Sequence, residues 1–122
     1  DEGVAAFAQA STLGSTPELS QTALTFNNLC WQGSLKGHAA EVMDACERAV
    51  AVTPADWRFR DSRGVARALT GNFKGAIEDF REFIIGSDDK EACAQRERWI
   101  TSLENGKNPF TPAELESLRY SR

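Results

Sequence analysis

Between residues 73 and 86, apolar side chains fall at Phe73, Ala76, Ile77, Phe80, Phe83 and Ile84. The same spacing recurs at Ala39, Val42, Met43, Cys46, Ala49 and Val50. Steps of three and four residues put each set on one side of a 3.6-residue helix, so both stretches predict amphipathic helices with a single buried face. Helix starts are signalled by Thr16–Pro17 and by Thr53–Pro54 with Asp56 behind it. Residues 89–104 carry Ala92, Trp99, Ile100 and Leu103 on one side and Arg96, Glu97 and Arg98 largely on the other, and Asn105–Gly106 ends that stretch. Thr111–Pro112–Ala113–Glu114 has the form of a capping box, with Phe110 and Leu115 at the two positions of a hydrophobic staple. A short last helix follows from it.

The two amphipathic stretches belong to a longer period. Gly37 and Gly71 lie 34 residues apart, and at the same shift Cys30 falls on Gly64, Val42 on Ala76, Cys46 on Phe80 and Pro54 on Asp88. A period of 34 is that of the tetratricopeptide helix–turn–helix unit, whose pattern is aromatic-x-x-Leu-Gly-x-x-Tyr, Ala-x-x-x-Phe and Pro. The first copy offers Phe26, Leu29 and Pro54, with Cys30 in the small-residue slot. The second offers Gly64, Ala76 and Phe80, but sets Arg60, Arg63 and Arg67 where apolar residues are usual. A third copy fails at Arg98, and residues 89–119 therefore predict helices that cap the stack. Gly3, Phe7 and Ala10 fit the second helix of a partial repeat over residues 1–15, or else a simple N-terminal cap. The expected architecture is one all-α domain over 1–122 of about seven helices, an α-solenoid of helical hairpins with repeats at 22–54 and 56–88.

Three segments carry a more specific likeness: Asn27–Leu35, Arg60–Gly71, and Ala94–Trp99 followed by Asn108–Leu115. Over about residues 1–119 the chain resembles a tetratricopeptide module of cyanobacteria and related bacteria. That module is typically C-terminal in large proteins with signalling ATPase, WD-repeat or caspase-like peptidase domains. The resemblance implies a non-catalytic scaffold that binds a protein or peptide partner in a concave groove, as part of a larger multidomain protein.

Composition narrows the alternatives. Fourteen basic against eighteen acidic residues give a net charge of −4, which argues against a general nucleic-acid binder. No apolar run approaches a membrane span, and no basic segment followed by an apolar stretch marks a signal peptide, so a cytoplasmic location is expected. The three cysteines, Cys30, Cys46 and Cys93, are widely spaced, and His38 is the single histidine. No zinc pattern or oriented Cys–His pair results, so we expect no catalytic residue, no metal and no cofactor. The thiols are expected to be reduced and structural; Cys30 and Cys46 fall on the core faces of paired helices and are candidate neighbours.

For the partner site, the first helix of the first copy divides into a core side (Phe26, Leu29, Cys30) and a second apolar side (Leu24, Trp31, Leu35, with Asn27 beside it). That second side, flanked by Arg58, is the predicted groove, with Trp31 as its aromatic anchor. Coverage of Trp31 and Leu35 by neighbouring helices is the competing reading. Arg58 would favour an acidic or C-terminal carboxylate group on the partner. Arg60, Arg63 and Arg67 share one helix face; they either pair with Asp44, Glu47, Asp56 or Asp79, or form a stripe that senses a small anionic ligand.

Overall fold

The computed structural model describes residues 17–120, and among these the chain forms six helices and no strand. They are α1 (Pro17–Leu35), α2 (Ala39–Val52), α3 (Trp57–Leu69), α4 (Phe73–Gly86), α5 (Lys90–Glu104) and α6 (Pro112–Leu118). The all-α class is as expected; the helix anticipated over 1–15 lies outside the described residues. No helix among them is long and apolar enough to cross a membrane.

The 34-residue shift appears in the element boundaries. Helix α2 spans 39–52 and α4 spans 73–86, while α1 and α3 end at 35 and 69. The turns that follow α1 and α3 are built alike. Gly37 and Gly71 adopt φ of 91° and 92°, a left-handed conformation that a Cβ would strain. The next residue returns its N–H to the helix: His38 to Gly33 O and Asn72 to Arg67 O, both at 2.8 Å. Gly106, with φ of 74° and Lys107 N–H on Ser102 O at 2.9 Å, ends α5 the same way. These are Schellman turns, which satisfy the last carbonyls of a helix while reversing the chain. Helix α1 begins at Pro17, where Thr16–Pro17 signals a start. Helix α3 begins later than the Thr53–Pro54 signal, at Trp57, because Asp56 caps it by accepting the Arg58 N–H.

Helices α1 and α2 pack as one hairpin and α3 and α4 as the next, with α3 also against α1 and α2, and α5 laid on α4. In the second hairpin the close approach is made by Gly64, where a Cβ would come within 2.8 Å of the Phe80 ring. In the first, the equivalent residues Cys30 and Cys46 form a disulfide. This corrects the expectation of three reduced thiols. The shift that places Cys30 on Gly64 and Cys46 on Phe80 makes the pair face each other across the hairpin, and both sulfurs are sealed from solvent. Cys93 alone is free. Titration of the unfolded, unreduced protein should therefore count one thiol, not three. Reduction should lower stability by roughly 3 kcal/mol, the loop-closure value for a sequence separation near 16; an unfolding midpoint indifferent to reductant would refute the cross-link.

The main core gathers around Phe80, which is fully buried against Trp99 and Phe110 at centroid distances of 5.1 and 6.1 Å. Trp31 and Leu35 of α1, Val65 and Ala68 of α3, and Leu118 of α6 complete it, so the last helix reaches back to the first hairpin. Phe110 enters this core and Leu115 packs against it, as the staple positions suggest. The capping box is only half formed. Thr111 Oγ1 accepts the Glu114 N–H at 3.2 Å, but the Glu114 carboxylate does not turn back to Thr111. It is drawn to α5, where Gln95 Nε2 and Trp99 Nε1 donate to it at 2.9 and 3.1 Å. Thr111→Ala should cost about 1 kcal/mol, and an unchanged denaturation midpoint would show that the cap contributes nothing.

Candidate functional site

A cleft of about 780 Å³ opens where α1, the start of α3 and the start of α5 converge. Its residues fall at matching places in the 34-residue shift. Leu24, Arg58 and Ala92 are one such series; Asn27 and Gln95 belong to another, with Asp61 between them in sequence. The floor is apolar and held rigidly. Trp57 meets Phe83 edge-on at 5.1 Å, and Gly86 leaves room for the Trp57 ring where any Cβ would collide with it.

Positive groups in the cleft are largely committed to carboxylates. Arg58 grips Asp56 with two donors, Nε to Oδ1 at 3.2 Å and Nη2 to Oδ2 at 2.9 Å. Burial works to raise the Asp56 carboxyl, but these bonds and the Arg58 backbone N–H outweigh it and hold Asp56 below the ordinary carboxylate range. Its contribution to stability is therefore present above the unfolded pKa and lost as pH falls through the lower folded value. Arg96 is buried, contrary to its expected place on the outer side of the capping helix. It crosses to Asp61 of α3 with Nε on Oδ1 at 3.0 Å and Nη2 on Oδ2 at 2.7 Å, lying over Phe83 and Trp99 at 4.1 and 4.5 Å. The α3 and α5 N-termini are already capped by Asp56 and Asp89.

Of the five residues expected to form the groove, Leu24, Asn27 and Arg58 line the cleft. Trp31 and Leu35 do not. They are only 3% and 5% exposed and belong to the main core. The inward side of α1 runs through Leu19, Ala23, Phe26, Asn27, Cys30, Trp31, Ser34 and Leu35, while Leu29, expected in the core, is 51% exposed. Two neighbours, α2 and α3, widen the buried side of α1 beyond a single stripe, so its two apolar sides merge.

The arginine stripe turns onto a buried carboxylate. Asp79 of α4 is fully buried and accepts from Arg63 Nε and Nη2 at 3.0 and 2.9 Å and from Arg67 Nη1 at 3.3 Å, with Arg60 Nη1 3.7 Å away. Glu47 of α2 meets both Arg63 and Arg67 at 3.5 Å. Burial works against the Arg63 charge, but Asp79 and Glu47 outweigh it and raise its pKa further. Arg60 also donates from Nε to the Pro54 carbonyl. The face thus ties α2, α3 and α4 together, and its donors are spent on the protein's own acceptors.

His38 is exposed at the start of α2, with Nδ1 3.2 Å from Glu41. Among the described residues no group of three or more His, Cys, Asp or Glu side chains is placed to hold a metal ion. Of the cleft residues absent from the sequence expectation, Ala92 and Gln95 were reachable by carrying the 34-residue shift of Leu24 and Asn27 into α5, whereas Trp57, Glu91 and Arg98 were not. The failure of the small-residue slot at Arg98 stops the alignment there, although the first turns of the helix still correspond. Comparison of the chain with family models, curated proteins and solved structures finds no match.

Proposed function

We propose that the chain is a non-catalytic interaction module of the tetratricopeptide type that takes a peptide segment of a partner protein in the cleft between α1, α3 and α5. The observation that carries this reading is the cleft itself: an open concavity with an apolar floor, lined at equivalent places of the 34-residue shift by Leu24, Arg58 and Ala92 from α1, α3 and α5. Concave, largely preformed sites with a few placed polar groups are the usual binding sites of proteins. Service within a larger bacterial signalling protein is part of the same proposal and rests on the sequence resemblance. The anion-sensing alternative at Arg60, Arg63 and Arg67 is less favoured, since those guanidinium groups already face Asp79 and Glu47. For location, the Cys30–Cys46 disulfide favours an oxidising compartment over the cytoplasm, where such bonds are rare.

Selection of a random peptide library on the immobilised chain tests the site. Peptides should be enriched whose binding is lost in Ala92→Trp, which fills the cleft, and kept in Lys74→Trp, which alters an exposed position of α4. Enrichment of nothing, or of peptides indifferent to Ala92→Trp, would reject the cleft as a peptide site.

A further inference from the structure

Resting on that reading, we propose that the cleft selects a peptide carrying a lysine or arginine beside its apolar anchor, reversing the acidic preference expected from Arg58. Arg58 and Arg96, the cations nearest the floor, are each held by two donors on a carboxylate of the protein itself, Asp56 and Asp61. The positive ends of α3 and α5, which would otherwise attract an anion, are neutralised by the Asp56 and Asp89 caps. What remains uncommitted on the rim is mainly negative. Asp88 and Glu91 are exposed and make no ion pair with any described residue, and Asp89 adds a third carboxylate beside them. Arg98 is the one lining cation without a carboxylate among the described residues, and Lys90, though adjacent in sequence, does not line the cleft. The charge of the cleft rim therefore points to a cationic group on the occupant. The fitting occupant sets an apolar side chain on Trp57 and Leu24 and places its cationic side chain against Asp88 and Glu91.

The composition of the library-selected peptides, together with one charge-reversal variant, decides the matter. Peptides that require an open cleft, as judged by Ala92→Trp, should be enriched in Lys or Arg next to an apolar or aromatic residue. Their synthetic copies should bind the Asp88→Lys/Glu91→Lys variant about tenfold more weakly or worse, as lost charge complementarity demands, and binding to the unaltered chain should fall with added salt. Both substituted positions are exposed and Asp89 keeps its cap, so the variant should stay folded with only a slightly lowered midpoint, since cations at a helix start are mildly unfavourable; Asp88→Asn/Glu91→Gln, with no added charge, should give a smaller loss of binding in the same direction. Cleft-dependent peptides that are acidic or uncharged would overturn the inference while leaving the cleft as the site. So would basic peptides that bind the reversed variant undiminished. Absence of any cleft-dependent peptide would instead remove the underlying reading of the cleft.

Discussion

Asp61→Ala should lower the stability of this chain by about 3–5 kcal/mol, the usual result of stripping one partner from a buried ion pair. The Asp61 side chain is fully buried and that of Arg96 is 6% exposed, and the pair is the charged link between α3 and the capping helix α5. With the carboxylate gone, the guanidinium keeps its aromatic neighbours Phe83 and Trp99 and the Gln95 side-chain oxygen at 2.7 Å, but no anion. Pair formation itself need not be strongly stabilising, because two desolvated charges barely recover their hydration. The double variant Asp61→Leu/Arg96→Met should accordingly recover most of the loss. Urea denaturation of the two variants distinguishes the cases: a cost below about 1 kcal/mol for Asp61→Ala would mean that water already reaches Arg96.

The same pair shows why part of the fold was legible in the sequence and part was not. Helices α2 and α4 each keep their apolar side chains on one narrow stripe, so periodicity located them and the 34-residue shift aligned their ends. Helix α1 packs against α2, α3 and α6 and buries a wider sector, and a template that assigns Leu29 to the core turns its side chains the wrong way. Arg96 looks like a surface residue because arginine usually is one; only the knowledge that Asp61 waits across the interface makes its burial affordable. Two features were within reach of the sequence. Cys30 and Cys46 occupy the positions of Gly64 and Phe80, which touch across the second hairpin, so their proximity follows from the repeat, while the bond between them was not expected. The cleft series Leu24, Arg58 and Ala92 follows from extending the period by one more helix. Glu114 was not within reach. Its choice between the Thr111 backbone and the donors of Gln95 and Trp99 depends on how α6 sits against α5, a tertiary outcome that overrides the local capping signal.

Trp31→Ala should cost about 3–5 kcal/mol, the value for removing a large aromatic from a core. The ring is 3% exposed and shares its cluster with Leu35, Val65, Ala68 and Leu118, so truncation opens a void between the first hairpin, the second and the last helix. The cluster lies at the turn ends of α1 and α3, and a cavity there loosens the return of α6 as well as the α1–α3 contact. Leu24→Ala offers the contrast. Leu24 is 41% exposed on the cleft, so its truncation should move the midpoint by no more than about 0.5 kcal/mol while weakening any peptide held on the cleft floor. Measured side by side, the two variants separate support from recognition. A Trp31→Ala chain that unfolds within about 1 kcal/mol of wild type would return that ring to the surface and reopen the turn ends of α1 and α3 as a binding face. A chain that loses several kcal/mol keeps Trp31 in the core and leaves the proposed recognition to the earlier turns of the same helix, where Leu24 and Asn27 open onto the cleft.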